Sequence, residues 1–83
     1  MPRRQFSSRE VLKVFDKANW EYAGAGSGSS HVVMTKRDHS GHKYTITIPM
    51  GKDPIPIGTL KSIMKRAGGD DWDKFCRWLD NNC

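Results

Sequence analysis

Near the middle of this 83-residue chain, Lys43-Tyr44-Thr45-Ile46-Thr47-Ile48 alternates polar and apolar residues without a break, and Pro49 follows. A period of two, carried by β-branched and aromatic residues, is the pattern of a strand with one face buried and one face wet. Pro49 lacks a ladder donor and predicts the end of that strand. Such a strand is not stable alone. Tyr44, Ile46 and Ile48 need strands beside them and helices over them, and the rest of the chain has to supply both.

Upstream, His31 to Lys36 reads as a second strand, marked by Val32, Val33 and Thr35. The polar stretch Arg37-Asp38-His39-Ser40-Gly41-His42 joins it to the first as a hairpin connection. Trp20 to Ala23 is a shorter strand, cut off by glycines from Gly24 onward. Connections this short make the three strands an antiparallel meander. Ahead of them, Ser7-Ser8-Arg9-Glu10 fits a capping box, and Val11, Val14, Phe15 and Ala18 follow at helical spacing with Leu12 at the margin. That helix should end near Asn19, which tolerates the left-handed conformation. After the loop from Met50 to Pro56, a second helix starting at Gly58 or Thr59 carries the stripe Leu60, Ile63, Met64 and Ala67. Gly68-Gly69 stops it, and Asp70 is the predicted N-cap of a last helix with Trp72, Phe75, Cys76 and Leu79 as its stripe. The order is α-β-β-β-α-α. It predicts an α+β fold, a three-stranded antiparallel sheet with helices packed on one face, in a single domain over residues 1–83.

Composition narrows the function classes. No run approaches the roughly 18 apolar residues of a membrane span, and the charged start Met1-Pro2-Arg3-Arg4 has no apolar region after it, so a cytoplasmic protein is expected. Cys76 and Cys83 form neither a disulfide framework nor a metal-ligand spacing. Fourteen Lys/Arg against nine Asp/Glu leave a formal charge of +5, which favours a polyanionic partner such as nucleic acid.

The stretch before the second strand is where chemistry is expected. Gly24, Gly26 and Gly28 leave room for a bulky ligand, while Ser27, Ser29 and Ser30 add hydroxyls and open N–H groups suited to phosphate. They deliver His31. If Val32 and Met34 point inward, His31, Val33 and Thr35 share the open face of the sheet with Thr45 and Thr47. Imidazole, with an ordinary pKa of about 6.5, suits removal of a proton from a ribose 2′-hydroxyl so that it attacks the adjacent phosphorus. That route requires no metal. Lys36 on the second strand, with Lys61 and Lys65 one turn apart on the second helix, are candidates for the RNA backbone. Arg37, Lys43 and Lys52 are further basic residues around the hairpin and loop. An exposed charged helix face accounts for Lys61 and Lys65 equally well. His39 and His42 lie in a polar turn without further ligands at a metal-binding spacing, and either can also be read as an acid for the leaving oxygen.

Three passages in order resemble the HicA family of bacterial toxins. One is the opening helix Arg9-Glu10-Val11-Leu12-Lys13 with Ala18-Asn19-Trp20, close to the family's lysine-alanine-glycine-tryptophan passage. The second is Gly28-Ser29-Ser30-His31 before a strand, and the third is Pro56-Ile57-Gly58-Thr59-Leu60-Lys61-Ser62-Ile63-Met64-Lys65-Arg66-Ala67-Gly68. The chain departs from the family in having two serines before the histidine and Val32 after it, where many members carry a second histidine. The resemblance implies a fold like the double-stranded-RNA-binding domain and an endoribonuclease that cleaves mRNA without a cofactor. It makes His31 the catalytic histidine and a HicB-type antitoxin the neutralising partner. Gly28, Ser29, Ser30, Lys36, Lys61 and Lys65 are then the expected RNA contacts. A non-catalytic RNA-binding domain of the same fold is the alternative, and a protein-interaction module a third. Trp78 lies about 60° beyond Phe75 on the last helix, where it either covers the edge of the core or anchors the partner.

Overall fold

The first helix, α1 (Ser8–Lys17), starts where its sequence demands. The Ser7 hydroxyl accepts from the Glu10 N–H at 3.2 Å, and the Glu10 carboxylate accepts from the Ser7 N–H at 3.0 Å. This reciprocal box satisfies two otherwise orphaned donors. The helix ends at Ala18, and Asn19 then takes φ +67° to turn the chain. In this computed structural model, residues 5–23 and 30–83 are described.

Strand β1 (Glu21–Tyr22) is shorter than predicted, although the Ala23 N–H still donates to Val33 O at 2.9 Å. Strands β2 (His31–Arg37) and β3 (Lys43–Pro49) pair antiparallel along their full length, and the sheet order is β1-β2-β3. Pro49 is the last residue of β3 and not the breaker after it. It sits opposite His31 at the strand end, where its missing donor costs no ladder bond.

Helix α2 (Ile57–Arg66) begins one to two residues earlier than expected, behind Pro56, whose fixed φ of −56° suits a helix entry. No side chain caps it. Gly68, at φ +89°, ends the turn after it beneath the Tyr44 ring; a Cβ at Gly68 would lie 2.9 Å from Tyr44 Cε1. Helix α3 (Trp72–Asn82) is capped by Asp71, one residue later than the predicted Asp70, through a 3.1 Å bond from the Lys74 N–H. Both aspartates were compatible with a cap, and the φ and ψ of −121° and 105° at Asp71 decide it.

The inward rows meet as the periodicities required. Met34 and Val32 of β2 and Ile46 and Ile48 of β3 face Val11, Val14 and Phe15 of α1 and Leu60, Ile63 and Met64 of α2. Helix α3 packs on α1 and α2 and adds Phe75 and Leu79. Full burial of each such side chain contributes about 1.5–3 kcal/mol against chain entropy. Tyr22 pairs with Met34 and so shares the helix-facing side, yet it stays 55% exposed on the edge strand. Among the described residues, no helix is long and apolar enough to cross a membrane.

Candidate functional site

The β2–β3 ladder has two ends of different chemistry. At one, His31 starts β2 opposite Pro49, exposed and on the face away from Met34. The alternation along β2 puts Val33, Thr35 and Arg37 on that same open face, with Thr47, Thr45 and Lys43 opposite them. His31 Nδ1 lies 3.3 Å from the Ser30 hydroxyl, and which of the two donates depends on the tautomer. Beyond the last paired residues, the Met50 N–H donates to Ser30 O at 2.6 Å and carries the pairing one step further. Gly24, Gly26, Ser27, Gly28 and Ser29, the other members of the predicted phosphate turn, lie outside the described residues.

This end is held by α1. Ser8 is 1% exposed, and its hydroxyl donates to Pro49 O while accepting from the Lys52 N–H at 3.0 Å. The Ser8 N–H in turn donates to Lys52 O at 2.8 Å, and the Ile55 N–H donates to Phe6 O at 2.8 Å. The loop after β3 is thereby stitched to the start of α1, and the residue facing His31 is fixed through its carbonyl. Leaving any of these buried groups unpaired would cost about 1–3 kcal/mol. Sequence reasoning missed Ser8. It stands beside the capping serine, and no periodicity distinguishes a second serine that bonds across the fold. Lys52, a basic residue named only in passing from the sequence, has its backbone anchored at this end by the same contacts.

At the other end, Arg37 pairs with Lys43 across the hairpin. Asp38 organises the turn: its Oδ1 accepts from the Ser40 N–H at 3.0 Å, the Ser40 hydroxyl at 2.7 Å and the His42 N–H at 3.0 Å. The Ser40 hydroxyl, foremost, holds its carboxyl below the ordinary 3.8; the His42 and Ser40 N–H groups and the His42 charge add to this against desolvation. The His42 ring meets Tyr44 edge-on at 4.4 Å. Among the described residues, no group of three His, Cys, Asp or Glu side chains is arranged to hold a metal ion.

The predicted basic contacts do not converge on His31. Lys36 points with Met34 towards the helices, and its Nζ donates to Ala18 O, the C-cap carbonyl of α1, at 2.8 Å. Five strand residues, roughly 16 Å, separate it from His31. Lys61 lies over the Trp72 ring at 5.4 Å, a cation–π contact between α2 and α3, and Lys65 is exposed on α2. Trp78 is half-buried, edge-on to Phe15 at 5.2 Å and tilted on Phe75 at 5.9 Å. It covers the edge of the core, the more ordinary of its two readings.

A sequence model of one family, described as HicA toxin of bacterial toxin-antitoxin, matches residues 8–68. The match takes in α1, the whole sheet and α2, and it ends before α3. None of the curated proteins and none of the solved structures compared with the chain matches it.

Proposed function

The chain belongs to the HicA family of toxins from bacterial toxin–antitoxin systems, and on that premise we propose that it is an endoribonuclease that cleaves mRNA in the cytoplasm with His31 as general base. His31 carries the proposal. It lies within the matched span, exposed at the end of β2, beside a serine hydroxyl and on a strand end clamped by a buried hydrogen-bond pair. A general base needs to be reachable by substrate and held in one orientation, and this position offers both.

With Nδ1–H donating to Ser30 Oγ, the neutral ring presents Nε2 to the ribose 2′-hydroxyl. Nε2 takes the proton, the 2′-oxygen bonds to phosphorus, and the bond from phosphorus to the 5′-oxygen breaks. The leaving 5′-oxygen takes a proton from solvent water, the imidazolium returns its proton to solvent, and the products are a 2′,3′-cyclic phosphate and a 5′-hydroxyl end. Lys52, whose backbone is anchored at this end, is the cation we assign to the charge that develops on phosphate. A HicB-type antitoxin would neutralise the toxin by covering His31, with acidic groups complementing the surplus of basic ones.

The test is cleavage of a defined mRNA by the purified protein, with the product ends identified. Cyclic phosphate ends, formed equally in the presence of a chelator and lost in His31→Ala while RNA binding stays within a few-fold, are the expected result. Wild-type protein that binds RNA and never cuts it would make the chain a binding domain. Activity lost to the chelator and restored by a divalent ion would overturn the mechanism and bring His39 and His42 back into consideration.

A further inference from the structure

Two cavities meet on one ridge at the hairpin end of the sheet. The first, of about 380 Å³, has Trp20, Tyr44 and Trp78 among its walls, and small residues at Ala18, Ala67 and Gly69 leave space between them. The second, of about 430 Å³, is polar and lies on the open side, among Glu21, Thr35 and Lys43. Lys36 and Arg37 line both, and Asp38, its carboxylate engaged by the turn, lines the first. An aromatic slot therefore stands next to a polar cleft, with two cations on the divide and a third, Lys43, beyond it.

We propose that the aromatic slot takes one unpaired base of a single-stranded RNA whose phosphates lie on Lys36, Arg37 and Lys43. The proposal deepens the RNA reading of His31 and rests on it. Planar bases stack on aromatic faces whatever their identity, and the backbone they carry needs cations at the mouth of the slot. Both ridge cations keep donors to spare. Lys36 spends one of three ammonium hydrogens on Ala18 O, and Arg37 gives Nη1 to Gly41 O at 3.2 Å. An apolar side chain of a protein partner would fill the slot but would leave this cationic divide unmatched. The polar cleft shares the open-face row Arg37, Thr35, Val33, His31, so an RNA leaving the slot is already aimed at the histidine. Six strand residues, roughly 20 Å, separate Arg37 from His31, which places the held base several nucleotides from the cut. Trp78 comes from α3, beyond the family match, so one wall of the slot is supplied by the C-terminal helix.

The experiment uses short single-stranded RNA substrates, each with one abasic nucleotide at a successive position. With the wild-type protein, one abasic position several nucleotides from the cut should raise KM roughly tenfold or more, the scale of one base stacked on an aromatic side chain. In Trp78→Ala that position should become indistinguishable from its neighbours, since slot and base are then coupled through nothing. If Trp78→Ala does not fold, wild-type tryptophan fluorescence serves: quenching by the intact oligonucleotide should be lost with the abasic one. A flat abasic profile in RNA that is still cleaved would overturn the slot while leaving the ribonuclease standing. No binding or cleavage of any RNA would overturn both. A profile unchanged by Trp78→Ala, with antitoxin affinity lowered, would give the slot to the protein partner and overturn the proposal.

Discussion

The two ends of the β2–β3 ladder are built by opposite means. The His31 end is tied down by partners more than forty residues away in sequence, Ser8 to Pro49 and to Lys52. The turn at the hairpin end is organised by contacts two to six residues apart, most of its side-chain bonds running through the Asp38 carboxylate. A local turn can form wherever its residues are placed, and it can vary without disturbing the core. A clamp between a helix start and a strand end exists only in the finished fold. The end we assign to catalysis has its backbone fixed by a clamp that exists only in the finished fold, whereas at the recognition end the turn is local and the slot beside it is not.

The largest effect should come from His31→Ala. Loss of a general base costs roughly 10²–10⁴-fold in rate, so kcat for RNA cleavage should fall into that range while the thermal midpoint stays put. A rate within threefold of wild type would remove chemistry from this end of the sheet.

Next is Ser8→Ala, which leaves Pro49 O and the Lys52 N–H without their buried partner. Thermal unfolding should show a loss of about 1–3 kcal/mol, and a domain of this size then melts roughly 4–8 °C lower per kcal/mol. If the clamp positions His31, kcat should also drop at temperatures where the variant is fully folded, with Ser8→Thr recovering part of it. A stability loss with kcat unchanged would reduce Ser8 to a packing residue.

The hairpin end is sharpened by salt. Each phosphate neutralised releases counterion, so Lys36→Ala and Arg37→Ala should each flatten the plot of log K against log salt by nearly one unit. Lys61 and Lys65 lie on the helical side, with Lys61 over Trp72. Equal flattening by Lys61→Ala and Lys65→Ala, measured by fluorescence titration at several salt concentrations, would show RNA crossing the helices as well.

The smallest effect concerns acid. Asp38 is held below its ordinary 3.8 in the fold, so its contribution is complete above that value and is lost as pH falls through the lower folded one. Wild type should therefore melt higher than Asp38→Asn at pH 5, and the two midpoints should converge as the pH falls well below 3.8. Midpoints that stay apart in acid would mean that the turn draws its order from something other than this carboxylate's charge.

Much of this molecule was legible because its elements obey local rules. The capping box at Ser7 and Glu10, the left-handed Asn19 and the alternation of Tyr44, Ile46 and Ile48 follow from backbone stereochemistry and the periods of helix and strand. For His31 the alternation left two faces, and the pairing of Val32 with Ile48 and Met34 with Ile46 chose the open one. Where two neighbours satisfied a rule equally, as Asp70 and Asp71 did, only backbone angles separated them.

Tertiary structure alone decided which side chains meet. Lys36 was read as an RNA contact, and the fold adds a bond to Ala18 O that closes the end of α1. Lys61 and Lys65 were read as candidate RNA contacts or a solvated helix face, and the fold sets Lys61 over the Trp72 ring on the helical layer. Ser8 had no signal at all: a hydroxyl's partners forty residues away are set by how α1 lies across the end of β3, and spacing along the chain does not encode that crossing. The aromatic slot is the same case. Trp20, Tyr44 and Trp78 belong to three separate segments, and the gap between them exists because three packed surfaces fail to close completely.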